Sequence, residues 1–134
     1  MAVILRNDHG AIAVNKSVIE HMLVEDLLEM SDSVMLCNKK GKLIKDRPTP
    51  FIDPDYYDAV DIAENKGSTS IKIYVLLRKG VKAADASDSI FDMTERIYEL
   101  LRLQLPSSIS VKIRGILKDD ATERRSIDIV RNNG

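Results

Sequence analysis

Three stretches of this chain combine residue types and spacing that could hold or transform a ligand. The first is RKGVKAADASDS, Arg78–Ser89, which joins an alternating apolar run to a long helical pattern through one glycine. Strand, glycine, helix is the layout of many phosphate-binding loops, but such a cradle needs several converging backbone N–H groups, hence two or three glycines. Gly80 stands alone, and Asp85 and Asp88 fall in the first turns of the helix, where they complement its dipole and repel a phosphate. Gly80 is therefore expected to be a structural turn residue at positive φ. The second stretch, DPDYYDAVDIAE, carries Asp53, Asp55, Asp58, Asp61 and Glu64 with no basic residue between them. Oxygen-rich runs bind Ca²⁺ or Mg²⁺, yet the EF-hand spacing and its sixth-position glycine are absent, and proline restricts how the first carboxylates converge. The expectation is a solvated acidic edge facing the third stretch, the basic hairpin KKGKLIKDR. Its Lys39, Lys40, Lys42, Lys45 and Arg47 are the candidate contacts for an anionic partner such as RNA or a lipid headgroup. The same charges would also guard an edge strand against edge-to-edge pairing.

The remaining reactive side chains do not assemble a site. His9 and His21 form no cluster, and no Ser-His-Asp or Cys-His arrangement is set by spacing. Cys37, the one cysteine, excludes an internal disulfide and a Cys-based zinc cluster, and in VMLC it reads as a small core residue. No catalytic residue, metal or cofactor is expected, and the chain reads as non-enzymatic. Composition agrees with an ordinary globular domain: 134 residues, 44% apolar and 31% charged. Aromatic content of 4% with no Trp supplies little base-stacking surface, and a net charge of −1 gives no global attraction to polyanions. No apolar run reaches a membrane-spanning length, and MAVILRNDHG lacks the basic region of a signal peptide, so a cytoplasmic location without direct membrane insertion is expected.

The elements that position these residues follow from periodicity. Ala11 to Val14 reads as a short strand entered through Gly10. Asn15 or Ser17 then caps a helix whose apolar stripe is Val18, Met22, Leu23 and Leu27, widened by Ile19 and Met30. VMLCNKKGKLIK reads as a small hairpin turning at Lys39-Lys40-Gly41. The stretch after it, with Pro48, Pro50 and Pro54, is a loop or edge segment. Val60 to Leu77 reads as a longer hairpin turning at 65–68. Ala83 to about Leu105 reads as a helix with Ala83, Ala86, Ile90, Met93, Ile97 and Leu101 on one stripe, and Ile109 to Leu117 as a strand. The order β-α-β-β-β-β-α-β predicts an α+β fold, a small antiparallel or mixed sheet with two helices packed on one face and the other face wet. One domain is expected over residues 1–117, and the polar segment 118–134 is expected to be a loosely ordered tail.

The stretch IKIYVLLRKGVKAADASDSIFDMTERIYELL followed by SVKIRGI resembles the alkaline-shock, or general-stress, protein family of Gram-positive bacteria. In that pattern a strand ends at a glycine, an acidic residue follows five positions on and an aliphatic at ten, and a last Val/Ile strand ends near Gly-Ile. Gly80, Asp85, Ile90, Val111, Ile113, Gly115 and Ile116 hold those places here, and Gly10, Ile12, Val18 and Ile19 match the family's start. The likeness spans residues 10 to 117. The chain departs from the pattern at SDSVMLC, at Ala83 and in the proline-rich acidic segment 46–58. The resemblance implies a non-enzymatic interaction or scaffold protein connected with envelope stress, self-associating and recruited to the membrane by a small membrane-anchor protein. The alternative from the residues is an αβ-type RNA-binding module using the hairpin at 39–47 together with Lys112, Arg114, Lys118, Arg124 and Arg125.

Overall fold

The computed structural model describes residues 2–7, 10–44, 54–119 and 121–133. Ala2–Asn7 (β1) and Gly10–Asn15 (β2) pair antiparallel as a separate two-stranded ribbon, with Leu5 opposite Ile12. β2 contains the expected Ala11–Val14 strand. β1 is not among the expected strands, because Ala2, Val3, Ile4 and Leu5, four apolar residues in a row, carry no alternation to identify one. Helix α1 follows over Lys16–Leu28, then strand β3 over Val34–Leu36 and a 3₁₀ segment over Pro54–Ala59. Strands β4 (Val60–Asn65) and β5 (Ser68–Arg78), helix α2 (Ala83–Leu100), and strands β6 (Ser108–Leu117) and β7 (Thr122–Asn132) complete the described elements.

The main sheet is mixed and has β5 near its middle. β6 runs parallel to β5 on one side, with α2 as the crossover, and β7 lies antiparallel on the outside of β6. On the other side β5 pairs antiparallel with β4 along its first half and with β3 along its last three partners. The 60–77 hairpin is thus present with its turn at Lys66-Gly67. The small hairpin is shorter than expected. Among the described residues the chain beyond β3 returns through an isolated bridge, Cys37 to Leu43, and Lys45, Arg47, Pro48, Pro50 and Asp53 lie outside the described residues.

Alternation decides where the core sits. Ile71, Ile73 and Val75 of β5 and Ile109, Val111 and Ile113 of β6 are buried on one face against Ile19, Leu23 and Leu27 of α1 and Ile90, Ile97 and Tyr98 of α2. Each such aliphatic contributes about 1.5–3 kcal/mol of burial. Both helices therefore share one face, as the α+β expectation required. The opposite face is not simply wet: Cys37, Tyr74 and Leu76 are buried there beneath the small hairpin, with Leu43 and Leu117 at the margin. α1 differs from its expected stripe. Ile19, Leu23, Val24 and Leu27 are buried, whereas Val18 is 45% exposed. Both sets obey helical spacing, and only packing against the sheet selects one.

α2 stops five residues before the expected Leu105. Arg102 takes φ +57, the Leu103 amide bonds back to the Tyr98 carbonyl at 2.9 Å, and Leu103 inserts into the core. A larger correction concerns the C-terminus, because the expected loose tail contains the eleven-residue strand β7. Ile127 and Ile129 face the core opposite Ile113 and Val111. Arg131 lies 4.9 Å over the Phe91 ring and donates from Nη1 to Asp92 Oδ1 at 3.0 Å and to Glu95 Oε1 at 2.9 Å. The strand looked polar because its alternate residues face solvent.

Charge divides between the layers. Glu20, Glu25 and Asp26 on α1 and Asp85, Asp88, Asp92, Glu95 and Glu99 on α2 oppose only Lys16 and Arg96. Since the whole chain nets −1, the strands and turns carry a positive surplus.

Candidate functional site

The turn at 38–42 positions the basic residues. Asn38 Oδ1 accepts from the Lys40 amide at 2.9 Å and the Lys42 amide at 3.0 Å, and the Gly41 amide donates to the Asn38 carbonyl at 2.9 Å. An Asn that bonds backbone amides two and four residues on is a turn-builder. Gly41 is required twice: its φ is +83, and a Cβ there would stand 3.1 Å from the Arg114 Cβ. The turn thus closes directly onto β6, at the bulge where Val75 pairs Ile113 and Leu76 already pairs Gly115.

Docked this way, the turn gives different surroundings to Lys39 and Lys40, two of the three expected cations that are described. Lys39 points toward the acidic run, its Nζ 3.7 Å from Asp61 Oδ2 across a cleft of about 480 Å³ lined by Asn38, Lys40, Tyr57, Asp58 and Val60 as well. The acidic and basic runs therefore face each other within the molecule, as expected for the described part of each. His21 sits beside this region: its Nδ1 is 2.9 Å from the Tyr57 hydroxyl and its Nε2 is 2.6 Å from Glu25 Oε1. It ties α1 to the 3₁₀ segment.

On the other side of the turn lies a second groove, of about 380 Å³, lined by Lys40, Gly41, Arg114, Arg124, Arg125 and Ser126. Every ionisable side chain in that lining is cationic. Arg114 is oriented by its surroundings. Its Nη1 donates to Ser126 Oγ at 3.0 Å and Asp128 Oδ1 at 3.3 Å, and its guanidinium lies over Tyr74, 5.7 Å from the ring centroid. Lys112 shares Asp128 at 3.3 Å. Arg125 and Lys118 both pair with Glu123 at 2.6 Å, and these two cations hold the Glu123 carboxyl below its ordinary range. Lys40, Lys42 and Arg124 have no ion pair among the described residues.

The structure thus brings Lys40 together with Arg114, Arg124 and Arg125, which were grouped with the hairpin only in the RNA-binding alternative. It turns Lys39 away. What the sequence did not reveal are Ser126 and Asp128, which orient Arg114, and Gly41, which admits it. Gly80 turns the chain at φ +87 between β5 and α2, as expected. Among the described residues no group of three or more His, Cys, Asp or Glu side chains could hold a metal ion, and no helix is long and apolar enough to cross a membrane. Cys37 is fully buried, and burial pushes its thiol up to about 12, against the weaker opposite pull of Arg114. It is therefore a neutral packing group. No family model, curated protein or solved structure matches this chain.

Proposed function

We propose that this protein is a non-catalytic interaction or scaffold protein, acting in the cytoplasm, that self-associates through an edge of its sheet. In this reading a separate small membrane-anchor protein holds it at the membrane, and its role lies in the response to envelope stress. The stress role and the anchor rest on the resemblance of residues 10 to 117 to the alkaline-shock family. Self-association rests on one observation, the outer edge of β7. This strand is eleven residues long and pairs with β6 on one side, while among the described residues the sheet order ends with it on the other. Such an edge offers unpaired backbone N–H and C=O groups to another strand. Its charges, Glu123, Arg124, Arg125, Asp128 and Arg131, limit indiscriminate pairing. Val130 meanwhile leaves an apolar side chain 47% exposed on it.

Light scattering on the purified chain tests this. The expected mass exceeds the 15.0 kDa of one chain and rises with concentration. Val130→Glu, on an exposed side chain, should return it to one chain without lowering the unfolding temperature. A strict monomer at high concentration, with no membrane protein recovered by cross-linking in cells, would sink the proposal.

A further inference from the structure

The groove between the 38–42 turn and the β6–β7 pair shares Arg124 and Arg125 with the edge strand β7, and its cations point to a second role beyond guarding that edge. We infer that it binds a single strand of nucleic acid through its phosphodiester backbone. Four observations converge on this. The charged side chains lining it, Lys40, Arg114, Arg124 and Arg125, come from three separate segments and all carry positive charge. Asp128 and Glu123 already pair with Arg114 and Arg125, so Lys40 and Arg124 are the charges whose mutual repulsion an anion would relieve. Lys40 and Arg124 have no ion pair among the described residues, so binding an anion breaks no existing contact at either. Arg114 is held in place by Ser126, Asp128 and Tyr74, so its remaining N–H groups are ordered before a ligand arrives. Finally, the two helices, whose eight acidic residues face only Lys16 and Arg96 as basic partners within them, lie across the sheet from this groove.

The same geometry defines the mode of binding. Tyr74, beneath Arg114 of the groove, is 7% exposed and covered by that guanidinium, so it offers no face on which a base could stack. Recognition is therefore of phosphates and independent of base sequence. The groove, of about 380 Å³, accommodates one phosphodiester run, and a flexible single strand can bend its phosphates toward all four cations where the fixed backbone of a duplex cannot.

Fluorescence anisotropy with a labelled oligonucleotide of about 15 nucleotides, within the range of single-strand site sizes, tests the inference. With three or four phosphates neutralised, affinity should fall roughly 20- to 50-fold between 50 and 200 mM salt, from a slope of about −0.7 per phosphate on single strands. Lys40→Glu and Arg124→Glu should each weaken binding by about tenfold or more at low salt and flatten the slope by roughly one phosphate's worth. Arg96→Glu, on α2 across the sheet, makes the same charge change and should alter neither. Unfolding midpoints of all three variants identify any loss that comes from misfolding. The inference is overturned by absence of binding at 20 mM salt, or by binding indifferent to both groove substitutions in folded protein. Tighter binding to a matched duplex or to anionic lipid vesicles overturns it as well.

Discussion

Tyr98 carries a hydroxyl into the core with no hydrogen-bond partner among the described residues. Burial accordingly raises its pKa, with the Glu64 charge adding. An unpartnered buried hydroxyl has lost its water and gained nothing in return. Tyr98→Phe keeps the ring and removes the orphaned group. It should stabilise the protein by about 1 kcal/mol, read as a higher urea midpoint at unchanged slope; a loss of stability would show that the hydroxyl is satisfied in solution. The candidate site shows how far residues can be read singly. The positive charge at 39–42 was plain in the sequence, but not that Lys39 would pair with Asp61 while Lys40 lines both that cleft and the groove beside Arg114. Which of them joins Arg114 and which joins Asp61 depends on where the turn docks. That docking depends on Gly41 fitting against Arg114, a contact between residues far apart in the chain.

At the level of elements, strong single-faced periodicity was legible and uniform apolarity was not. α2, with Ala86, Ile90, Ile97 and Tyr98 buried and its acids outside, was placed correctly except at its end. That end depends on Leu103 finding the core. α1 is apolar around much of its circumference, so the sequence favoured Val18 where packing chose Ile19. β7 was missed because Ile127 and Ile129 are its only apolar residues facing the core, and its anchor, Arg131 on the acids of α2, is a tertiary contact. α1 also carries a mismatch. Burial raises the Asp26 carboxyl above its ordinary 3.8, with the Glu29 and Glu25 charges adding and Arg96 opposing. A raised folded-state value means that folding favours the protonated form, so ionisation costs stability. The cost is absent well below pH 3.8, grows as pH rises through the folded value, and is fully present at neutrality. Asp26→Asn should therefore raise the unfolding temperature at about pH 7 and leave it nearly unchanged at about pH 3. An equal gain at both would assign the effect to packing.

For the whole molecule, the α+β layering was legible because both helical stripes and the alternation of β5 and β6 point to one core. The bridge that buries Cys37 and Leu76 on the second face was not, since VMLC reads as core without saying which core. Charge has the same property at this scale: its total is in the composition, but its arrangement belongs to the fold. Acidic helices lie on one side of the sheet and a cationic groove on the other, so a chain with a net charge of only −1 presents surfaces of opposite sign. Its behaviour in a field is then governed by orientation more than by total charge. At about pH 7 and low salt it should be retained on both anion- and cation-exchange media, although its pI of about 6.1 suggests the first alone. Arg124→Glu should shorten retention only on the cation exchanger; passage of the wild type straight through that medium would show that the two faces are not polarised. Beside any negatively charged surface such a molecule experiences a torque that turns its sheet inward and its helices toward solution. It arrives already aligned, before any specific contact forms.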